Sequence, residues 1–345
     1  MKAAWICPLA IALASPPSER ELAFQPAAGA TVQKTFTERT SWTLDSMTLI
    51  YEDGEVAMTP PELTGVAELR LVVLDTYGAV DGGVPLVLRR EFDTVEARST
   101  IEIDVEGASE DLELDLSSEL EKQKVVFTRD TPRDEAEAKF EGEEHAASEL
   151  LRGLREDLDL RGFLPSADVG VEDWWEVDVA KLGDVLAAGG DLALAPDAGA
   201  DLDSEHLQAD QVVATALVRL GEARDGRSGE ATLTWKETKT DGERELAVIA
   251  IEIGATAKGA LGERLRHMLA AAGADAADRT LTMEWTAEGE GTLTWDLTAG
   301  RFESLELALE VEIVVEFVEQ GDEDAVSYRF ALSGETEIAA ALEAK

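Results

Sequence analysis

The residue types that most often carry catalysis are sparse in this chain and badly spaced for it. Its three histidines, His145, His206 and His267, each stand alone, with no HExxH pair among them. There is no GxSxG nucleophile elbow, no glycine-rich phosphate loop and no EF-hand spacing. His267 lies beside Met268 and reads as an ordinary, partly exposed histidine. The one cysteine, Cys7, sits in an apolar N-terminal stretch, so the rest of the chain can form neither a disulfide nor a thiolate metal site. Carboxylates are so numerous, 73 in all, that close pairs arise by chance and a glycosidase-like dyad has no signature. Asp197, Asp201, Asp203 and Glu205 supply oxygen atoms a calcium ion could use, but their spacing fits no calcium loop and a solvated acidic loop is the favoured reading. The expectation is a protein that is not an enzyme, with no cofactor and no dedicated metal site.

Charge narrows the partners. Against 30 basic residues the carboxylates leave a formal net charge of −43, which repels nucleic acid phosphates and anionic membrane surfaces. Weak binding of divalent cations over the acidic surface is expected instead. Hydrophobic residues make up 45% of the chain, too many for disorder, and its length allows a core that needs no disulfide staples.

The N-terminus has the order of a secretory signal. Lys2 precedes an apolar run from Ala3 to Ala14 that ends in Ala12-Leu13-Ala14, and Pro16-Pro17 follow. The run is too short to span a bilayer, so cleavage before Ser15 is expected. The mature protein is therefore expected to be exported to the periplasm, the cell envelope or the medium.

Beyond the leader the dominant pattern is a period of two, the mark of half-buried strands. From Leu305 to Phe317 every odd position is apolar, with Glu306, Glu310, Glu312 and Glu316 between them, and Val326, Tyr328, Phe330 and Leu332 repeat the pattern across a turn. Upstream, Leu281-Met283-Trp285, Leu293-Trp295, Ala231-Leu233-Trp235 and Leu246 to Ile253 complete six strands joined by short turns, one of them Thr240-Asp241-Gly242. The N-terminal half alternates in the same way around Val32 to Leu44 and Val95 to Val105. Helical spacing is read at Leu150, Leu151, Leu154 and Leu158, over Val179 to Ala188, over Ser204 to Leu220, and at Leu261, Leu265, Met268 and Leu269. The predicted fold class is α+β, with long-stranded, mostly antiparallel twisted sheets in a meander and amphipathic helices packed on one face. The predicted organisation is a signal at 1–14, a flexible segment at 15–30, a β-rich half at 31–164, a connector at 165–228 and a C-terminal sheet at 229–345.

That arrangement places one candidate binding surface. Trp235, Trp285 and Trp295 share the parity of the apolar positions on their strands, and the helix bearing Leu265 and Met268 is expected to cover that face. The three indoles with Leu265 and Met268 either fill a core or line an apolar ligand pocket. Trp174-Trp175 begins a short strand, which sends one indole inward and the other outward.

The stretches Asp75-Thr76-Tyr77, Gly83-Val84-Pro85-Leu86, Arg89-Arg90-Glu91-Phe92, Val169 to Val177 and Gly291 to Leu297 resemble uncharacterised exported proteins of planctomycete bacteria. The resemblance implies export and assigns no activity. The sheet-plus-helix pattern is also similar to periplasmic lipoprotein-carrier and lipid-binding cups. Two readings follow: a structural or interaction component of the envelope, or a periplasmic carrier of a lipid or other apolar small molecule.

The acidity carries its own test. Raising the salt from 0.1 M to 1 M shortens the Debye length from about 10 Å to about 3 Å and screens repulsion among the carboxylates. The melting temperature should rise over that range; a flat or falling value in calorimetry would count against dominant surface repulsion.

Overall fold

The structure, a computed structural model, describes residues 22–51, 54–105, 108–142, 148–179, 187–196, 228–260, 279–320 and 325–345. In chain order its strands are β1 (Thr31–Tyr51), β2 (Gly54–Met58), β3 (Glu62–Tyr77), β4 (Val80–Asp81), β5 (Val84–Pro85), β6 (Val87–Val105), β7 (Ala108–Ser118), β8 (Lys124–Thr128) and β9 (Glu137–Phe140). They continue with β10 (Trp174–Asp178), β11 (Leu194–Pro196), β12 (Ser228–Asp241), β13 (Arg244–Ala260), β14 (Arg279–Asp296), β15 (Arg301–Gln320) and β16 (Ala325–Ala344).

All but β4 and β5 belong to one antiparallel 14-stranded sheet, whose main order is β10-β12-β13-β14-β15-β16-β1-β3-β6-β7-β11. The expected alternation is realised along it. On β15, Leu305, Leu307, Leu309, Val311, Ile313 and Val315 are all buried, while the glutamates between them face outward. On β1 the buried set is even-numbered, from Val32 and Phe36 to Trp42 and Leu44. Because β1 pairs with β16, which continues the meander from β12, strands from both ends of the chain present one continuous apolar face. Bulges at Leu44/Ser46, Val72/Val73, Trp235/Glu237 and Thr294/Trp295 shift the register and bend strands that are long for a globular protein.

The α+β expectation is corrected. Among the described residues there is no α-helix, only 3-10 turns at Ser148–Leu151 and Arg161–Phe163, so no amphipathic helix packs on the sheet there. The leucines at 150, 151, 154 and 158 have helical spacing, but their segment bonds to another part of the chain. Arg155 N donates to Gly189 O at 3.0 Å and Asp191 N to Gly153 O at 3.0 Å. Leu265 and Met268, the Ser204 to Leu220 stretch and most of Val179 to Ala188 lie outside the described residues. The six-strand meander becomes five, because Leu281-Met283-Trp285 and Leu293-Trp295 belong to the single strand β14. Gly289 interrupts the alternation between them in the sequence. It nonetheless lies within the strand where a Cβ would come within 2.0 Å of the Ala308 carbonyl oxygen of β15.

Trp42 shows how tightly the core face is filled. Its indole lies over Gly65, its partner across β1 and β3, and a Cβ at Gly65 would sit 2.1 Å from the ring. Gly65→Ala should therefore destabilise the protein by about 1–3 kcal/mol through overpacking. Urea unfolding measures this, and an unchanged midpoint would mean that the ring has room to move.

Candidate functional site

Among the described residues buried charge concentrates at one place, which no sequence motif marks. On β3 and β6, Asp75 and Arg90 are register partners on the core face, and Lys34 of β1 lies beside them. Arg90 grips Asp75 with both arms, Nε to Oδ1 and an Nη to Oδ2, each at 2.7 Å. Lys34 Nζ stands 2.7 Å from Asp75 Oδ2 and 2.6 Å from Asp159 Oδ1. Tyr77 donates its hydroxyl to Asp159 Oδ1 at 2.5 Å. Two further guanidinium hydrogens of Arg90 go to the carbonyl oxygens of Arg155 and Glu156, at 2.8 and 2.9 Å. Glu156 in turn accepts from Arg129 and Arg161, and Arg161 pairs with Asp157.

The set balances: Lys34, Arg90, Arg129 and Arg161 face Asp75, Glu156, Asp157 and Asp159. A buried charge persists only when paired and hydrogen-bonded; both oxygens of Asp75 are engaged, whereas Glu156 Oε1 and Asp159 Oδ2 are buried with no hydrogen-bond partner among the described residues. Burial pushes the Asp75 carboxyl up, but the charges of Arg90 and Lys34 outweigh it and hold the group below the usual carboxylate range. Asp159 and Glu156 go the other way, raised chiefly by burial despite the cations beside them. Burial, with Asp159 and Asp75, drives the Tyr77 hydroxyl well above its ordinary value. Lys34, Asp75, Arg90 and Asp159 are fully buried, and neither of the hollows described below reaches them. The arrangement suits a clamp that holds residues 155–161 against the sheet rather than a reaction centre.

The predicted binding residues separate. Trp235, Trp285 and Trp295 are 2%, 8% and 0% exposed, each buried with the apolar positions of its strand. Trp235 and Trp295 flank β13 at neighbouring levels, opposite Ile249 and Ala247. Trp285 lies ten residues further along β14, roughly 33 Å away at strand rise. The three therefore share a face but not a place on it. The indole of Trp235 donates to Glu237 O at 3.0 Å. Leu265 and Met268 fall outside the described residues, as do the three histidines and the acidic stretch from Asp197 to Glu205. Among the described residues no group of three or more His, Cys, Asp or Glu side chains is placed to hold a metal. The adjacent pair divides between faces: Trp175 is 9% exposed and donates to Phe163 O at 2.8 Å, while Trp174 is 63% exposed.

A hollow of about 1010 Å³ crosses β13, β14, β15, β16, β1 and β3. Its lining includes two rows of cross-strand neighbours whose side chains point away from the core. One runs Ala250, Thr292, Glu306, Ala339, Thr37 and Arg70; the other runs Glu252, Glu290, Ala308, Glu337, Arg39 and Glu68. Between them lies the row of Ile251, Gly291 and Leu307, in which the isoleucine and leucine side chains belong to the opposite face. The first row continues through Thr234 of β12 to the exposed Trp174 on the edge strand β10. On β13–β16 the cations Arg244, Lys258, Arg279, Arg301 and Arg329 all stand near strand ends, which leaves the middle of this surface to carboxylates. Glu252 directly faces Glu290, and Glu310 faces both Glu288 and Glu335. Such like-charge pairs are unfavourable by about 0.2–1 kcal/mol each. A second hollow of about 430 Å³ lies beside Trp42 and Gly334.

No family model matches the chain, and no curated protein matches it. Among solved structures, an outer membrane channel from Pseudomonas putida F1 is 8% identical, with 96% of this chain and all of that one covered at a TM-score of 0.18. Pseudomonas aeruginosa OccK7 is 6% identical, with 90% and 99% covered at a TM-score of 0.17. At such scores the likeness carries no argument about this chain.

Removing one partner from the clamp leaves uncompensated buried charge, so Asp75→Asn should cost about 3–5 kcal/mol in denaturant unfolding. Because the folded pKa of Asp75 lies below its unfolded value, its contribution is complete above about pH 4 and is lost as pH falls through the folded value. The acid limb of the stability profile should flatten in the variant; an unchanged limb would show that other carboxylates control acid unfolding.

Proposed function

We propose that the protein is exported and serves as a non-catalytic interaction or structural component of the cell envelope or its surroundings, with the exposed sheet face as its working surface. The observation that carries this reading is the 1010 Å³ hollow on the acidic, outward face of the sheet. The leader-like N-terminus supports export. A carrier of apolar ligands needs an apolar pocket. The three candidate indoles are instead buried, and neither described hollow includes any of them in its lining. That favours the interaction reading over the lipid-carrier alternative.

Fractionation and tryptophan emission test this together. Expressed with its own leader in a bacterium, the protein should be recovered outside the cytoplasm with its N-terminus near Ser15. With the exposed indole removed by Trp174→Phe, emission should be blue and unmoved by a saturated fatty acid. Cytoplasmic recovery with Met1 intact would refute export, and a ligand-dependent emission shift with a raised melting temperature would establish the carrier instead.

A further inference from the structure

We propose that the hollow across β13–β16, with Trp174 at the open edge beside it, docks an extended lysine- or arginine-rich polypeptide segment. This rests on the reading of the exposed face as the working surface. The shape argues for an extended occupant. Among the described residues only sheet positions line this hollow, and in its first row Ala250, Thr292 and Ala339 are low, with Glu306 standing among them, which leaves a trough running across the strands instead of along them. From β10 to β16 the trough spans five strand spacings, about 24 Å, which an extended chain covers with about seven residues.

Charge complementarity selects the occupant. Glu252, Glu290, Glu306 and Glu337 lie on four successive strands, and the cations of those strands stand near their ends; the two arginines in the hollow's lining, Arg39 and Arg70, lie beyond them on β1 and β3. A second copy of so acidic a chain would be repelled, and the same field disfavours nucleic acid. A basic segment laid in the trough would relieve the unfavourable facing of Glu252 and Glu290, which the protein maintains at the cost of its own stability. Trp174, 63% exposed at the edge, offers a ring face on which an arginine or lysine can stack.

The test uses fluorescent peptides of alternating lysine and threonine, about four, seven and eleven residues long, with glutamate-threonine peptides and spermine as comparators. Binding to the full-length mature protein is read by anisotropy. Affinity should rise up to about seven residues and then level off. The glutamate peptides should not bind, and spermine should compete weakly. Neutralising the trough with E252Q, E290Q, E306Q and E337Q together should weaken binding about tenfold or more, without lowering the melting temperature. Trp174→Ala should weaken it about threefold. An equal charge change outside the hollow, E62Q, D111N, E113Q and E119Q, should do much less. Equal losses from both quadruple variants would overturn the proposal in favour of diffuse electrostatic attraction. Competition by spermine as strong as that of the seven-residue peptide would assign the surface to small polyamines. No binding by any peptide, from a protein still exported and still unaffected by fatty acid, would defeat this inference while leaving the proposed function standing.

Discussion

The carboxylate of Asp75 is the point at which the architecture is tied together. Its two oxygens are shared by Arg90 on the neighbouring strand and Lys34 on β1, and both cations reach on to residues 155–161. Three strands and the irregular segment over them are thus held through one group. That segment has little regular structure of its own, so few backbone bonds would otherwise fix it. Charge in a medium of low polarity supplies direction that apolar contacts lack, since it is tolerated in one geometry and expensive in others.

The ionic interior and the acidic exterior divide the same residue types by different rules. In the clamp, four cations meet four carboxylates. Outside, a chain with more than twice as many acids as bases must leave carboxylates facing one another, and the strict alternation of β13–β16 sets them in rows. The sheet can tolerate this because water screens its outer face, while the inner face supplies hydrophobic burial along β13, β14 and β15.

Much of this sheet was legible in the sequence. Alternation along Leu305 to Val315 and at Trp235 and Trp295 fixes which side chains turn inward, because a one-residue slip would invert the whole strand. The helical readings fared worse. Leu150, Leu154 and Leu158 repeat every four residues, a spacing that also suits an irregular segment whose leucines fall against a sheet, and backbone bonding to residues 189–191 decides between the two. The merging of two strands into β14 was hidden because Gly289 punctuates a pattern as readily as it permits two backbones to approach. The ionic clamp has a signal in the sequence. Lys34 lies between Val32 and Phe36, Asp75 between Val73 and Tyr77, and Arg90 between Leu88 and Phe92, so in each case a charge occupies the parity reserved for the core. That they belong together could not be read from separations of 41 and 15 residues, since only strand register brings them into contact.

The pairing of β1 with β16 has a consequence for how the molecule is made. These neighbours lie near the middle of the sheet, and the hydroxyls of Thr40 and Thr336, which meet at 2.9 Å, are 296 residues apart in sequence. A chain emerging N-terminus first completes β1 long before its partner exists. Until β16 arrives, β1 and β15 each keep a bare row of amides and an uncovered apolar face, the condition in which sheets join to the wrong neighbour. Closure of so distant a contact is also slow. β15 carries six glutamates against one arginine, so nascent copies repel one another along that edge during the interval when it is open.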